Sequence, residues 1–178
     1  MEKLKIGFIG CGGIANDKHL PSMAKQPEVE MAAFCDLILE RAEAAAAKYG
    51  APDAKVYTDY RELLADESIV AVHVLTPNVM HCEISCAAME AGKHVICEKP
   101  MAANIADAEK MMETAKRTGK LFTIGYQYRH IDSNKAMKAY VDTGALARST
   151  TPRPPRCVAA ASPPGAFSPA RRIRAAAR

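Results

Sequence analysis

The chain has 178 residues, 49% of them hydrophobic, which suits one packed domain, and no apolar run approaches the roughly 18 residues of a membrane span. The seven arginines of residues 147–178 account for its net charge of +4, since residues 1–146 hold 17 basic and 20 acidic residues and lack the cationic face typical of nucleic-acid binders. With no signal-peptide pattern at the N-terminus, we expect a cytoplasmic protein with neither a membrane nor a nucleic-acid partner.

Six strand patterns alternate with helix patterns along residues 1–146. This alternation predicts a doubly wound α/β domain with a parallel Rossmann sheet, whose strand order reverses beside the first strand and whose ligands bind at the carboxyl ends of the strands. His73 lies within an apolar run and is interpreted as a hydrogen-bonded core residue. The predicted strands cover residues 4–10, 29–36, 55–57, 69–75, 94–97 and 121–125. The first main helix begins near residue 14, and the others cover residues 39–49, 78–91, 104–118 and 133–143.

The first strand is followed by a glycine-rich segment, residues 10–15, with the pattern G-x-G-x-x-A. Gly10 permits a tight turn, and Gly12 lets the backbone approach a pyrophosphate closely. Gly13 and Ile14 open the following helix, whose free N–H groups favour phosphate. Because the segment stands between a predicted strand and a predicted helix, it indicates a dinucleotide site.

The second strand ends at Asp36, 21 residues after Ala15. A carboxylate at this position accepts hydrogen bonds from both ribose hydroxyls of an adenosine and repels a 2′-phosphate. Arg41, the nearest cation along the sequence, lies one helical turn further on and is a further candidate for cofactor binding. The pattern therefore favours NAD over NADP, although a helix-capping or turn role for Asp36 is the alternative.

Polar segments also follow the fourth, fifth and sixth strands. Each segment alone is compatible with a capping or solvated-loop role. Together, at consecutive strand ends, they predict the surroundings of a nicotinamide and its substrate. The segments are Thr76-Pro77-Asn78 with His81, Glu98-Lys99-Pro100, and Tyr126 with Arg129.

The six cysteines include no C-x-x-C pair. Cys82 and Cys86 lie four residues apart on a predicted helix and supply at most two metal ligands. We therefore expect free buried thiols in a reducing compartment, and no metal site.

In order and spacing, these segments resemble the Gfo/Idh/MocA family of glucose–fructose oxidoreductases, inositol dehydrogenases and rhizopine-catabolism proteins. The resemblance runs from about residue 3 to 146, and its most specific element is Glu98-Lys99-Pro100. It implies a nicotinamide-dependent oxidoreductase that transfers a hydride between the cofactor and a sugar, inositol or other polyol. A relative that cleaves glycosides with a tightly held NAD is the variant that the sequence leaves open.

The resemblance also implies roles for single residues. Thr76, Asn78, His81 and Glu98 are expected to line the cofactor. Lys99 is expected to be catalytic and to bind the substrate hydroxyl beside the nicotinamide, with a surface ion pair to Glu98 as the structural alternative. Tyr126 and Arg129 are expected on the substrate side.

Family members continue into a second α/β domain that carries most substrate contacts and the oligomer interface. Residues 147–178 instead contain nine alanines, seven arginines and six prolines without periodicity, so we expect a disordered tail and a missing substrate domain. We hypothesise a one-base frameshift near codon 147; a genuine basic tail for an acidic partner is the alternative. An NAD-binding fragment without turnover is therefore the second functional hypothesis.

Overall fold

The computed structural model describes residues 3–144. Within that range, one compact unit ends at Gly125 and a second begins at Tyr126. The expectations for residues 147–178, including Cys157, lie outside the described residues.

The first unit is built on a six-stranded parallel sheet with strand order β3-β2-β1-β4-β5-β6. The order reverses beside β1, which confirms the predicted doubly wound Rossmann arrangement. The strands are β1 (Leu4–Ile9), β2 (Val29–Cys35), β3 (Lys55–Tyr57), β4 (Ala71–Val74), β5 (His94–Cys97) and β6 (Phe122–Ile124).

Helices connect the strands. No helix in the described part of the chain has the length and apolar character that crossing a membrane requires. The α-helices are α1 (Leu20–Met23), α2 (Leu39–Tyr49), α3 (Tyr60–Ala65), α4 (His81–Glu90) and α5 (Ile105–Thr118), with α6 (Asp132–Asp142) in the second unit.

The helix after β1 begins close to residue 14, as predicted, but contains a π-helical turn that the sequence did not predict. A π-helical turn, Ala15–His19, precedes α1, and the Leu20 N–H donates to the Ala15 carbonyl five residues earlier. The physical reason is Pro21, which has no N–H to donate and whose ring would clash with the Asp17 carbonyl in a regular α-helix. The turn widens just before the proline.

The start of α4 also departs from the prediction. A 3₁₀ turn, Asn78–Met80, leads into the helix, and the Asn78 side chain makes no capping bond. Pro77 occupies the N-cap position with extended backbone angles, which leaves Asn78 inside the first turn rather than before it. Asn78 is exposed.

Two apolar clusters cover the two faces of the sheet. One contains Leu63, Val72 and Ile84, and the other contains Phe8, Leu20 and Phe34. Five cysteines within these residues are free and buried, namely Cys11, Cys35, Cys82, Cys86 and Cys97.

His73 is a core residue, as predicted, but the expected hydrogen bonds are absent. Neither ring nitrogen has a partner among the described residues. The ring packs instead against Phe8 and the edge of His19. Burial, and then the nearby His19, lower the pKa of His73 to about 3, so the imidazole is neutral.

Candidate functional site

The glycine-rich loop begins beside the backbone that follows β4. Gly10 has a φ of 96°, in the region that favours glycine. A Cβ at this position would lie 2.7 Å from the Leu75 carbonyl oxygen. Only a glycine allows the chain to turn there against the end of β4.

The next part of the loop is open. No atom lies within 4 Å of a Cβ built on Gly12, and the one atom near a Cβ on Gly13 is a carboxylate oxygen of Asp17 at 4.0 Å. The Asn16 N–H donates to the Gly12 carbonyl at 3.1 Å, so the preceding amides form the unpaired first turn of the helix. Ile14 is 44% exposed. Free amides beside open space suit a pyrophosphate.

Asn16 holds this loop in shape. Its side-chain amide donates to the carbonyl oxygens of Cys11 at 2.8 Å and Gly12 at 3.0 Å. Sequence reasoning missed this residue. The available signal was a polar side chain one helical turn after Gly12, which points back toward the loop.

Asp36 joins the ends of β1 and β2. One carboxylate oxygen accepts the Cys11 N–H at 2.8 Å and the other accepts the Ile38 N–H at 2.9 Å. Asp36 therefore has the turn role that was the alternative interpretation, and its role as a ribose ligand stays a prediction. A carboxylate has about four acceptor positions, so two more donors can still bind. No ion pair joins Asp36 to Arg41 within residues 3–144.

Two buried thiols flank this carboxylate. Burial, and then the Asp36 charge, raise the pKa of Cys11 to about 12, and the same two causes raise the pKa of Cys35 to about 12. Both thiols therefore stay protonated at neutral pH in the absence of a metal ion. Residues 3–144 bring no three metal-binding side chains together.

His81 connects the loops after β4 and β5. Its Nε2 lies 2.9 Å from the Thr76 carbonyl oxygen and its Nδ1 lies 2.7 Å from the Pro100 carbonyl oxygen. The side chain is fully buried. His81 therefore shapes the site through two backbone segments.

Thr76 and Asn78 present polar groups at the end of β4. Thr76 Oγ1 is buried and has no hydrogen-bond partner among residues 3–144. An orphaned hydroxyl beside a loop of free amides is a group that a ligand can satisfy.

Glu98 is a buried carboxylate at the end of β5, 6% exposed. Its Oε1 lies 2.7 Å from His19 Nε2, and its Oε2 accepts the Lys99 N–H at 2.7 Å. The side-chain partner of Glu98 is therefore His19, and the Lys99 side chain is exposed and outside that pair. Sequence reasoning missed His19 because its partner lies 79 residues away.

Tyr126 and Arg129 belong to the second unit. The Arg129 guanidinium lies 5.7 Å from the centre of the Tyr126 ring, and the Arg129 N–H donates to the Tyr126 carbonyl at 3.0 Å. Tyr126 is 44% exposed. The two residues form a local cation–π pair.

The open glycine loop, the helix N-terminus and a carboxylate at the end of β2 together define the class of protein, a dinucleotide-binding Rossmann domain. The residues fit the cofactor, because a Cβ at Gly10 would collide with backbone while the space beside Gly12 is open.

Comparison with known proteins identifies the family of this chain. The model of an oxidoreductase family with an NAD-binding Rossmann fold, GFO_IDH_MocA, matches residues 4–126. The chain belongs to this family, as its sequence motifs predict.

Similar proteins of known activity include dehydrogenases of polyols and sugars. The chain is 37% identical over 145 residues to an inositol 2-dehydrogenase of Salmonella typhimurium, covering 80% of this chain and 43% of that protein. It is 34% identical over 143 residues to a D-glucoside 3-dehydrogenase of Escherichia coli, covering 80% and 40%.

A similar solved structure is the scyllo-inositol dehydrogenase of Lactobacillus casei with bound NAD(H) and scyllo-inositol. It has a TM-score of 0.74 and 26% identity, over 82% of this chain and 43% of that chain. Another is KijD10, a 3-ketoreductase of Actinomadura kijaniata with NADP, with a TM-score of 0.74 and 28% identity. The chain spans less than half the length of these relatives.

Proposed function

We propose that this chain binds NAD at the carboxyl ends of β1 and β2. The observation that carries the proposal is the open space beside Gly12, bordered by the free amides of the first helical turn. The pyrophosphate would lie against Gly12, Gly13 and Ile14. The adenosine ribose would donate its hydroxyls to the two remaining acceptor positions of Asp36.

Charge favours NAD over NADP at this site. A 2′-phosphate would lie beside the Asp36 carboxylate, whose negative charge repels it. The residue after Asp36 is Leu37, which is 92% exposed and offers no cation. Arg41, the nearest cation along the sequence, makes no ion pair with Asp36 in the part of the chain that the structure describes, so it leaves that negative charge unneutralised.

The nicotinamide end would lie near the loops after β4 and β5. Thr76 and Asn78 have polar groups without partners in the described residues, and these groups are proposed to bind the cofactor. Glu98, a buried carboxylate, is proposed to shape the part of the site that binds the nicotinamide. His81, which is fully buried, is proposed to hold the two loops in register.

Lys99 is proposed as the catalytic residue. The bound nicotinamide supplies or takes up the hydride. The Lys99 ammonium donates a hydrogen bond to the oxygen of the reacting carbon and stabilises negative charge there. The same amine can hand a proton to that oxygen, or receive one from it.

The proposed substrate class is a sugar or polyol, because the Salmonella relative is an inositol dehydrogenase and the Escherichia relative a glucoside dehydrogenase. Tyr126 and Arg129 are proposed as substrate contacts. NAD binding without turnover is the second candidate function.

The test is calorimetric titration of Asp36→Asn with NAD and NADP. Loss of a charge-assisted hydrogen bond predicts about tenfold weaker NAD binding and weaker discrimination against NADP. Asp53→Asn, an exposed carboxylate before β3, controls for net charge. Unchanged NAD affinity in Asp36→Asn would refute the ribose assignment.

Turnover separates the two candidate functions. The full chain is incubated with NAD and a panel of inositols and hexoses, and NADH is followed at its absorbance band. NADH production supports the dehydrogenase, and binding without reduction supports the second candidate.

A further inference from the structure

The His19–Glu98 pair is the least exposed contact between a basic and an acidic side chain in the described residues. Its side chains are 20% and 8% exposed, whereas each of the other pairs includes at least one side chain more than a third exposed. A buried carboxylate is stable only when its oxygens are hydrogen-bonded. Glu98 has one such partner in His19 and another in the Lys99 amide.

Two neighbouring residues border Glu98. A Cβ at Gly125, the first residue after β6, would lie in ordinary van der Waals contact with Oε1, at 3.5 Å. Cys97, directly before it, is fully buried in β5. The carboxylate orientation is therefore set by its two partners, one on each oxygen.

His19 is itself held from the other side. Its ring meets the ring of His73 edge to face, with centroids 4.5 Å apart and planes at 80°. The π-helical turn before Pro21 carries His19 into this position. Because neutral His73 offers packing and no observed hydrogen bond, Glu98 is the polar partner that orients the His19 ring.

We propose that His19 is a positioning residue for Lys99, acting through the Glu98 carboxylate. His19 holds one oxygen of Glu98, so the other stays on the Lys99 amide, and this bond sets where the Lys99 backbone leaves β5. The proposal rests on the proposed function, because Lys99 matters only if the nicotinamide lies beside it.

Two ligands separate this role from a general structural one. NADH reaches the Lys99 loop with its nicotinamide, whereas ADP-ribose carries the same pyrophosphate and adenosine and lacks the nicotinamide. His19 lies on the helix that is proposed to hold the pyrophosphate, so a packing defect there would weaken the binding of both ligands equally. A loss of affinity for NADH alone therefore indicates a defect at the Lys99 end of the binding site.

The experiment titrates both ligands into the full chain and its variants. His19→Leu removes the donor, and His19→Gln keeps a donor at similar reach. We expect His19→Leu to bind NADH about fivefold more weakly with ADP-ribose affinity unchanged, and His19→Gln to retain most of the NADH affinity. Glu98→Gln, a second variant, removes the charge at nearly constant volume and should show the same selective loss.

Hydrogen exchange of the Lys99 amide gives an independent readout. We expect exchange about tenfold faster in His19→Leu than in the wild type, with near-wild-type exchange in His19→Gln. Equal loss of both ligands, or unchanged NADH affinity and Lys99 exchange in the folded variants, would overturn the proposal. A wild-type chain that binds neither ligand would instead refute the proposed function.

Discussion

At the scale of single residues, His73 shows what burial in a parallel strand does to a polar side chain. The residue lies in the middle of β4, where helices cover both faces of the sheet, and it is 4% exposed. Burial favours the uncharged imidazole. The ring therefore acts as an aromatic surface that packs between Phe8 and His19.

This burial predicts a pH-dependent stability. The unfolded chain binds a proton at His73 below about pH 6.5, whereas the folded chain does so only near pH 3. Above about pH 6.5 the imidazole is neutral in both states, and the full free energy of unfolding is present. As the pH drops between these values, the free energy of unfolding falls by up to about 1.4 kcal/mol per pH unit. Urea denaturation at pH 7, 6 and 5 measures this slope.

His73→Phe keeps an aromatic ring and removes the titrating group, so the slope should become shallower. A residual slope is expected from His94, whose pKa is lowered by burial and then by Lys120. If the wild type and the variant lose stability in parallel, His73 is not the source of the effect.

At the scale of elements, the loop between β1 and the first helix depends on two glycines for different reasons. Gly10 is required by the approach of β1 to the end of β4. Gly12 lies beside open space and is not among the glycines with left-handed backbone. One glycine serves the fold, and the other serves the proposed ligand.

The two alanine substitutions should therefore differ. Gly10→Ala should destabilise folding by about 2–4 kcal/mol, because it combines backbone strain with a collision against Leu75. Gly12→Ala should change stability by less than about 1 kcal/mol yet weaken NAD binding about tenfold, because its methyl group enters the pyrophosphate space. Chemical denaturation and calorimetry measure the two effects. Similar stability losses in both variants would contradict the assignment.

At the scale of the whole molecule, a parallel sheet places the ends of distant segments along one edge. Gly10, Asp36, Thr76 and Glu98 follow four different strands, and the strand order brings those strands side by side. Their amides and carboxylates therefore meet around one region, which is where open α/β sheets bind ligands.

Binding at this edge predicts a ligand-dependent stability. A ligand that binds only the folded state adds about 2.7 kcal/mol at a concentration of 100 times its Kd. The melting temperature should rise with NAD concentration and rise less with NADP at equal concentration. Differential scanning fluorimetry checks this, with Asp36→Asn as the control that requires more NAD. A melting temperature independent of NAD would contradict binding to the folded chain.

The fold and the glycine loop were predictable because their signals are local. The apolar runs mark the strands, and Gly10 and Gly12 stand directly after one of them. Asp36 was predicted as a ligand and has the additional turn role. The π-helical turn was not predicted, although Pro21 is a visible reason for it.

What the sequence determined by itself was the order of the strands and helices, the glycine loop, and the residues that follow each strand. Only the tertiary structure decided that His19 pairs with Glu98, that His81 connects two loops, and that His73 has no hydrogen-bond partner within residues 3–144. The physical reason is that hydrophobic periodicity is a property of neighbouring residues, whereas the partner of a buried polar group depends on which distant segment packs against it.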